Sequence, residues 1–168
     1  MSGHCLVGRT QYDPRVPVPD FVVDLRRKIG TDLLWLPGVT AVIVRGTDVL
    51  LVQRADSGRW APVTGVVDPG EHPADAAVRE AREEAGIEIA IEHLAWVHVT
   101  PIVQYPNGDQ AQYLDHTFLC QYVAGEPHAA DDESLAARWF DLSDLPDMPG
   151  NCAERITTAI SGSVRTRF

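Results

Sequence analysis

The sequence predicts a single domain of the mixed α/β (α+β) class, and three observations support this prediction. The chain has 168 residues, 45% of them hydrophobic and 23% charged, which is enough for one substantial core. Runs of β-branched residues alternate with segments whose apolar residues recur at helical spacing. No internal repeat, low-complexity tract or linker interrupts the pattern, so we assign residues 1–168 to one domain.

An irregular arm and a short helix are predicted at the N-terminal end. Residues 1–19 are rich in Pro, Gly and Arg, which favours an arm without regular structure. The following segment, DFVVDLRRKIG, offers Asp20 as an N-cap and Gly30 as a stop, with apolar residues at every fourth position between them. This pattern predicts a helix, and we group it with the arm as residues 1–36.

Strand patterns fill the core of the domain, residues 37–145. A hairpin of largely buried strands is predicted from VTAVIVR and DVLLVQR, which flank Gly46 and Thr47. Three more strands are predicted from IEIAIEHLAWVHVT, YLDHTFLCQYVA and AARWFDL, with the polar loop QYPNGDQAQ joining the first two. A C-terminal helix in residues 146–168 is predicted from NCAERITTAI, which follows the turn SDLPDMP.

The composition argues against several classes of protein. Lys and Arg number 14 against 24 Asp and Glu, a net charge of −10, which disfavours non-specific binding to nucleic acid or an anionic membrane. No run approaches the roughly 18 apolar residues of a membrane span, and the N-terminus lacks an apolar signal core, so we expect a cytoplasmic protein. The cysteines are widely spaced and odd in number, which favours reduced thiols at Cys5, Cys120 and Cys152.

A helix with an acidic face is predicted from GEHPADAAVREAREEAGI. Pro73 suits the first helical position, Asp75 the positive N-terminal end, and Gly86 the residue just past the C-terminus. At about 100° per residue, an apolar stripe forms from Ala74, Val78, Ala81 and Ala85. A different face carries three glutamates with two alanines beside them, which are expected to leave room for a ligand: Glu80, Glu83, Glu84, Ala76 and Ala77.

Two interpretations of the acidic face compete. An acidic cluster on a helix is usually solvated, and Arg79 and Arg82 would offset the repulsion, which costs only roughly 0.2–0.5 kcal/mol per pair. Alternatively, hard divalent cations such as Mg²⁺ bind through carboxylate oxygens, waters and substrate phosphates. Cations held on this face would let an acidic protein bind an anionic substrate.

The spacing around this helix resembles, without a gap, the signature of the Nudix hydrolases. Gly65 is followed six residues later by Glu71, seven residues intervene, and REAREEAGI then supplies Arg, Glu, a small apolar residue, two glutamates, Gly and an aliphatic residue. The resemblance implies the Nudix fold, a mixed sheet sandwiched between helices (an α/β/α sandwich). It also implies a Mg²⁺- or Mn²⁺-dependent pyrophosphohydrolase that cleaves a nucleoside diphosphate linked to another group X.

The resemblance further implies roles for the motif residues. Glu83 and Glu84 would be metal ligands, and Glu80 would be either a ligand or the base that activates water. Glu71 would support the metal site directly or through water. The backbone carbonyl of Gly65 would complete the coordination.

Outside these positions, many family members use an acid on a loop before a late strand. Glu133, in DDESLAARWF, is the candidate for metal binding or water activation, with Asp131 and Asp132 as rivals. A solvated acidic loop is an equally weighted alternative. Arg79 would orient a catalytic glutamate rather than contact the substrate. The motif region departs from the common family pattern at Thr64, where a glycine is often found.

Substrate contacts are expected in the segment TPIVQYPNGDQAQYLDH and beside it. Tyr105 or Tyr113 would stack on a base, and Asp109 or Asp115 would bond its edge, although simple packing is the commoner role for such aromatic residues. Arg54 would contact phosphate, with solvated surface charge as the alternative. Family spacing rules at Tyr105 slightly favour dinucleoside polyphosphates, while nucleoside triphosphates and ADP-sugars stay open as small-molecule substrates.

Two other function classes and one assembly are weighed beside hydrolysis. A Nudix-fold isomerase with a catalytic cysteine and glutamate is disfavoured because the motif is intact and no cysteine lies near it in sequence. A non-catalytic nucleotide-sensing Nudix module tends to lose motif glutamates, which are all present here. The apolar Leu33, Leu34 and Trp35 would pack against a second subunit in a homodimer or, equally, onto the chain's own core.

Overall fold

A computed structural model describes residues 18–168, whose regular structure consists of three helices and eight strands. The helices are α1 (Asp20–Ile29), α2 (Pro73–Ala85) and α3 (Cys152–Ala159). The strands are β1 (Leu34–Arg45), β2 (Asp48–Arg54), β3 (Trp60–Ala61), β4 (Val63–Val66), β5 (Glu88–Val99), β6 (Val103–Gln104), β7 (Gln110–Ala124) and β8 (Ser134–Asp141). Most of the predicted N-terminal arm, including Cys5, lies outside the described residues.

The strands form one mixed sheet. Its main path runs β3-β2-β1-β7-β5, while β4 pairs with β1, β6 with β7 and β8 with β2. Strands β1 and β7 are parallel, from Leu34 opposite Ala111 to Val44 opposite Gln121. The other strand pairings among the described residues are antiparallel. A parallel pair at the centre of an otherwise antiparallel sheet confirms the predicted mixed class.

Helices cover both faces of this sheet, because side chains along a strand alternate between two cores. In β1, Ala41 and Ile43 belong to the core under α2, whereas Val42 belongs to the core under α3. In β2, Leu50 and Leu51 divide in the same way. Helix α1 packs on the first residues of β1 and β7. The alternation of side chains along β1 places α1 on the same face of the sheet as α3. The predicted α/β/α sandwich is confirmed.

Several predicted boundaries are wrong by a few residues. Asp20 is the first residue of α1 rather than its N-cap; Pro19 holds that position and makes no side-chain capping bond. Strand β1 begins at Leu34, five residues before the predicted hairpin, because its first residues pair with β7 and pack on α1. Leu34 is therefore buried, while Leu33 and Trp35 on either side are exposed.

Other corrections concern short elements and two alanines. Strands β3, β4 and β6 have two to four residues each, too few for periodicity to mark them. The predicted loop 104–112 is shorter, because β6 and β7 pair at its two ends. Ala76 and Ala77 leave no room for a ligand beside the glutamates, since both are fully buried in the core under α2. None of the helices within residues 18–168 is long and apolar enough to cross a membrane.

Candidate active site

Arg79 contacts three of the four glutamates that the motif supplies. Its guanidinium donates to both carboxylate oxygens of Glu71 at 2.9 and 3.0 Å, to Glu80 Oε1 at 2.8 Å and to Glu83 Oε2 at 2.9 Å. It also donates to the carbonyl oxygen of Val66 at 3.1 Å, which ties α2 to the end of β4. Hydrogen bonding from Arg79 holds the pKa of Glu71 below its usual range.

The fourth motif glutamate, Glu84, is buried within the described fold. Its side chain lies among the core-facing residues of α2 and is 3% exposed. Burial raises the pKa of Glu84 well above its usual value, and the carboxylates of Glu80 and Glu133 raise it further, while Arg54 acts in the opposite direction. A carboxylate in this environment is destabilised as an anion until a positive charge joins it. The acidic face is therefore not simply solvated.

Glu80 and Glu133 have nearly matched electrostatic environments. Burial raises the pKa of Glu80 to about 7 against the opposing effect of Arg79, and Glu133 and Glu83 add to the rise. Burial also raises the pKa of Glu133 to about 7, with a further contribution from Asp131. Both side chains are thus suited to exchange a proton near neutral pH.

The segment between β7 and β8 brings Glu133 to this site. The backbone N–H of His128 donates to the carbonyl oxygen of Ala85 at 3.2 Å, which fixes the segment on the C-terminal end of α2. At its other end, the carbonyl oxygen of Glu133 accepts from the N–H of Ala55 at 2.8 Å, and the Glu133 N–H donates to Asp131 Oδ1 at 2.9 Å. Glu133 and Asp131 are half-buried there, whereas the other rival, Asp132, is exposed.

Gly65 lies in β4 directly against Glu80. A Cβ atom at this position would stand 2.0 Å from the Glu80 carboxyl group, so the site needs a residue without a side chain here. The backbone of Gly65 does not have a positive φ, which makes the requirement one of space rather than conformation. The β4 pairing with β1 fixes its position opposite Val39.

A groove of about 1620 Å³ connects these carboxylates with α1 and the start of α3. Its volume exceeds the roughly 300–1,000 Å³ of typical small-ligand pockets. It is lined by all five predicted substrate contacts and five of the predicted catalytic or metal residues: Arg54, Tyr105, Asp109, Tyr113, Asp115, Gly65, Arg79, Glu80, Glu83 and Glu133. Glu71 and Glu84 do not line it. We call the side with Glu80 and Glu133 the acidic end, and the side with Tyr105 and Tyr113 the aromatic end.

Arg54 lines the groove and interacts electrostatically with Glu84 near the acidic end and Tyr105 at the aromatic end. Its guanidinium pairs with Asp56 at 2.7 Å and reaches Thr64 Oγ1 at 3.5 Å. Burial lowers the pKa of Arg54, but the hydrogen bond and charge of Asp56 outweigh that effect and raise it. Arg54 is thus a permanent cation facing the groove next to the buried Glu84. Asp56 was not singled out from the sequence, although it lies only two residues from Arg54.

At the aromatic end, the two tyrosines share a hydrogen bond. Their hydroxyl oxygens are 2.7 Å apart. Tyr113 packs against Gly38 of β1, and Tyr105 lies in the turn between β6 and β7 with more than a third of its surface exposed. An exposed ring beside a half-buried one offers aromatic surface to a ligand in the groove.

The two predicted base-contacting aspartates are buried and bound to protein groups. Asp115 accepts from the hydroxyls of Thr40 at 2.8 Å and Thr117 at 2.7 Å. Asp109 forms an ion pair with Arg26 of α1, with 3.4 Å between Oδ2 and Nε. Both aspartates also line the groove, so their assignment as substrate contacts stays a prediction.

A model of the NUDIX domain family matches residues 35–158. The chain belongs to the Nudix family. The NAD-capped RNA hydrolase NudC of Pseudomonas putida (strain W619) is 32% identical over 119 residues, which are 67% of this chain and 39% of that protein. The chain thus spans about two-fifths of the length of the curated relatives that it matches.

Solved structures place the Nudix chain in the same family. An ADP-ribose pyrophosphatase from Streptococcus suis has 27% identity and a TM-score of 0.64, covering 79% of this chain and 98% of that one. A MutT NUDIX hydrolase from Burkholderia pseudomallei has 28% identity and a TM-score of 0.56, covering 74% and 98%. The predicted family and enzyme class are confirmed: the chain is a Nudix hydrolase.

The Nudix glutamates fit a hard divalent cation by their chemistry. Within residues 18–168, no three His, Cys, Asp or Glu side chains already stand together as a metal-binding group. In this arrangement the guanidinium of Arg79 pairs with the carboxylates of Glu71, Glu80 and Glu83. The donors are all oxygen atoms, and those of Glu80 and Glu84 carry raised pKa values that a nearby cation would relieve. Metal ligation by these residues stays a prediction.

Two buried arginines at the groove were missed from the sequence. Arg26 of α1 and Arg155 of α3 are 4% and 8% exposed. Arg155 donates to Thr40 Oγ1 at 2.9 Å and lies 3.8 Å from Asp115. One signal was available for Arg26: it follows Val22 by four residues and so shares the apolar side of α1. Arginines are rarely buried unless they are paired, and here Arg26 is paired with Asp109 and Arg155 with Asp115.

Proposed function

We propose that this chain is a metal-dependent pyrophosphohydrolase that cleaves the diphosphate of a nucleoside diphosphate linked to a second group. One observation carries the proposal: Glu80 and Glu133, two half-buried carboxylates with raised pKa values, line one end of a groove whose other end is aromatic. The acidic end suits cations and a diphosphate, and the aromatic end suits a nucleobase. Membership in the Nudix family supports the reaction class.

The metal site is proposed on the motif carboxylates. Glu80, Glu83 and Glu84 would hold Mg²⁺ or Mn²⁺, with Glu71 and the carbonyl oxygen of Gly65 in support. A bound divalent cation supplies charge neutralisation to the diphosphate and lowers the pKa of the attacking water. Since the three ligand carboxylates include one that is almost fully buried, loading the site would also stabilise the fold.

The protein groups then have three tasks. Glu133 or Glu80 accepts the proton of the attacking water, because both carboxylates have pKa values of about 7 and face the groove. Arg79 fixes the carboxylate of Glu80, and so determines where that oxygen stands. Arg54 donates to phosphate oxygens from the groove wall, where Asp56 holds its guanidinium in place.

For the substrate, we propose an ADP-sugar or dinucleotide class of diphosphate. The relatives are named for NAD-capped RNA and for ADP-ribose, which both contain adenosine joined through a diphosphate to a second ribose. The volume of the groove accommodates two such moieties. Dinucleoside polyphosphates, favoured by the position of Tyr105, and nucleoside triphosphates are the alternatives. We propose that the substrate is a small molecule, with capped RNA as a competing arm of the test.

A cysteine lines the groove, as the isomerase alternative requires, but its thiol is not activated. Cys152, at the start of α3, lines the groove near Asp115. Burial raises the pKa of the Cys152 thiol, whereas a nucleophilic or proton-transferring thiol needs its pKa lowered. We therefore favour hydrolysis.

A cytoplasmic location and a homodimer are retained as proposals. The dimer is proposed because Leu33 and Trp35 leave apolar surface exposed, and light scattering tests it.

The function is tested by a product assay over the substrate classes. Purified protein with Mg²⁺ is given ADP-ribose, NAD, dinucleoside polyphosphates, nucleoside triphosphates and NAD-capped RNA, and products are separated by chromatography. We expect cleavage between the two phosphates, loss of activity in EDTA, and loss in Glu83→Gln. Glu88→Gln, at an exposed position of β5, is the matched control and stays active. Normal turnover in Glu83→Gln, or no cleavage of any substrate, would overturn the proposal.

A further inference from the structure

Helix α1 forms part of the groove wall although it lies before the family match, which begins at residue 35. Its inner side packs on Leu34, Leu36 and Ala111 at the aromatic end. The helix is therefore an addition to the catalytic core that contacts the place where a substrate is expected. Arg26 is the one buried charged residue of this helix, and its contacts indicate the role of the helix.

Arg26 fastens α1 to the turn at residues 105–109. Its Nη2 donates to the carbonyl oxygen of Gln110 at 2.6 Å, and its Nε pairs with Asp109 Oδ2 at 3.4 Å. Its Nη1 donates to the carbonyl oxygens of Gly30 at 3.2 Å and Asp32 at 2.5 Å, which holds the guanidinium in place from the helix side. The two paired side chains are 3% and 5% exposed.

The 105–109 turn transmits this anchoring to a tyrosine. The N–H of Tyr105 donates to the carbonyl oxygen of Asp109 at 2.9 Å, and the N–H of Gly108 donates back to that of Tyr105 at 2.9 Å. Asn107 donates to Asp109 Oδ2 at 3.1 Å. Because the turn is closed by its own hydrogen bonds, it moves as a unit, and Tyr105 moves with it.

Asp109 depends on Arg26 more than Arg26 depends on Asp109. Among the described residues, Asp109 Oδ1 is buried without a hydrogen-bond partner, and the only cation paired with this carboxylate is Arg26. Arg26, by contrast, has three backbone carbonyl acceptors besides Asp109. Removing the arginine leaves a buried, uncompensated carboxylate, and the turn can hydrate it only by moving away from α1.

We propose that Arg26 is a positioning residue for base recognition, which holds the 105–109 turn so that the Tyr105 ring faces the nucleobase of the substrate. This inference rests on the proposed function for its ligand, a nucleoside phosphate. It assigns specificity to a helix outside the family match, while the metal and diphosphate chemistry stays at the acidic end.

The test compares two ligands that share a phosphorylated ribose and differ in the base. Binding of AMP and of ribose 5-phosphate is measured by calorimetry, and the ratio of their affinities isolates the contribution of the base. In the native protein we expect AMP to bind more tightly than ribose 5-phosphate. In Arg26→Met the ratio falls by about tenfold, the size expected when one base–aromatic contact is lost. The ribose 5-phosphate affinity stays within about twofold, since the acidic end is unchanged.

Three further variants separate positioning from general damage. Arg27→Met, on the exposed side of the same helix, leaves both affinities unchanged. Arg26→Met/Asp109→Asn removes both buried charges, so the turn is no longer driven into water and the ratio recovers most of its native value. Where Arg26→Met does not fold, Arg26→Lys keeps a cation beside Asp109 but loses the fork to Gln110, and the ratio falls by a smaller factor.

Several results would overturn this inference. Equal loss of both affinities in Arg26→Met, an unchanged ratio, or no recovery in the double variant would each contradict positioning. Native AMP binding no tighter than ribose 5-phosphate would remove base recognition from this end of the groove. Binding does not require hydrolysis, so a failed cleavage assay with an intact ratio contradicts only the proposed function.

Discussion

The acidic end and the aromatic end of the groove are built in opposite ways. Most of the acidic end comes from one contiguous stretch, residues 65–87, in which β4, a loop and α2 follow each other. The aromatic end joins residues far apart in the chain, such as Arg26 and Asp109, or Gly38 and Tyr113. The proposed catalytic residues are thus encoded locally, whereas the proposed recognition surface exists only after the sheet has formed.

The two ends also differ in how their charges are satisfied. At the acidic end, Glu84 is buried without an ion pair among the described residues, and burial raises its pKa. At the other end, Asp115 is satisfied by two threonine hydroxyls, and Asp109 is paired with Arg26. The acidic end is therefore under electrostatic stress that a cation would relieve, whereas these two carboxylates at the other end already have partners within the protein. The following predictions test this contrast.

The largest effect is expected from Glu84→Gln. The amide has nearly the same shape but no charge, so it removes both a proposed ligand and a buried anion. Activity should fall by more than about 100-fold, a greater loss than outer-sphere partners of a metal cause. The metal-free protein should become more stable at pH 8, because a buried charge without a cation is unfavourable. Steady-state assays and thermal melts in EDTA measure the two effects.

Metal addition completes this prediction. Mg²⁺ should raise the melting temperature of the native protein and of Glu88→Gln, whose exposed carboxylate is the matched control, but not that of Glu84→Gln. A melting temperature in EDTA that falls in Glu84→Gln would contradict the electrostatic stress assigned to the acidic end.

A smaller but more selective loss is expected from Gly65→Ala. The added methyl group would stand 2.0 Å from the Glu80 carboxyl, which is the flexible end of its side chain and can rotate away. Activity should fall by roughly 10–100-fold as the carboxylate leaves its position, while overpacking costs roughly 1–3 kcal/mol of unfolding free energy at most. Combining it with Glu80→Gln should add little further loss in kcat. Fully additive losses would show that Gly65 acts elsewhere.

The same contrast explains what the sequence could predict. The glutamates, Arg79 and Gly65 were identified because helical spacing and motif spacing are local properties of the chain. Strands β3 and β4 were missed because two- and four-residue strands are specified by their partners β2 and β1 rather than by periodicity. Arg26 was missed because only the folded chain brings it beside Asp109, 83 positions later in the sequence. Burial of Ala76 and Ala77 likewise follows from how α2 docks.

The pH dependence of stability should carry the signature of the acidic end. In the metal-free fold the pKa values of Glu80 and Glu133 are raised from 4.5 to about 7. The folded state therefore binds more protons than the unfolded state between these values, and their contribution to stability is fully present below pH 4.5 and lost as the pH rises through 7. Glu71, whose pKa is lowered, acts in the opposite direction and at lower pH.

Thermal melts in EDTA between pH 5 and pH 8 measure this loss. The slope of melting temperature against pH should become flatter in Glu80→Gln and Glu133→Gln and stay native in Glu88→Gln. An unchanged slope in the first two variants would mean that their carboxylates are hydrated in the free protein, which would remove the difference between the two ends.

The smallest effect is expected from Tyr105→Phe, which separates the ring from its hydroxyl at the aromatic end. The variant loses only the 2.7 Å hydrogen bond with the Tyr113 hydroxyl. Because the position is exposed, water can replace the lost hydroxyl, and KM should change by about twofold. Tyr105→Ala removes the stacking surface as well, worth roughly 1–3 kcal/mol per base, and should raise KM at least about fivefold with kcat nearly unchanged. Steady-state kinetics on the best substrate from the product assay compare the two. If phenylalanine were as damaging as alanine, this end would recognise its ligand by hydrogen bonding, and both ends of the groove would be polar sites that differ only in charge.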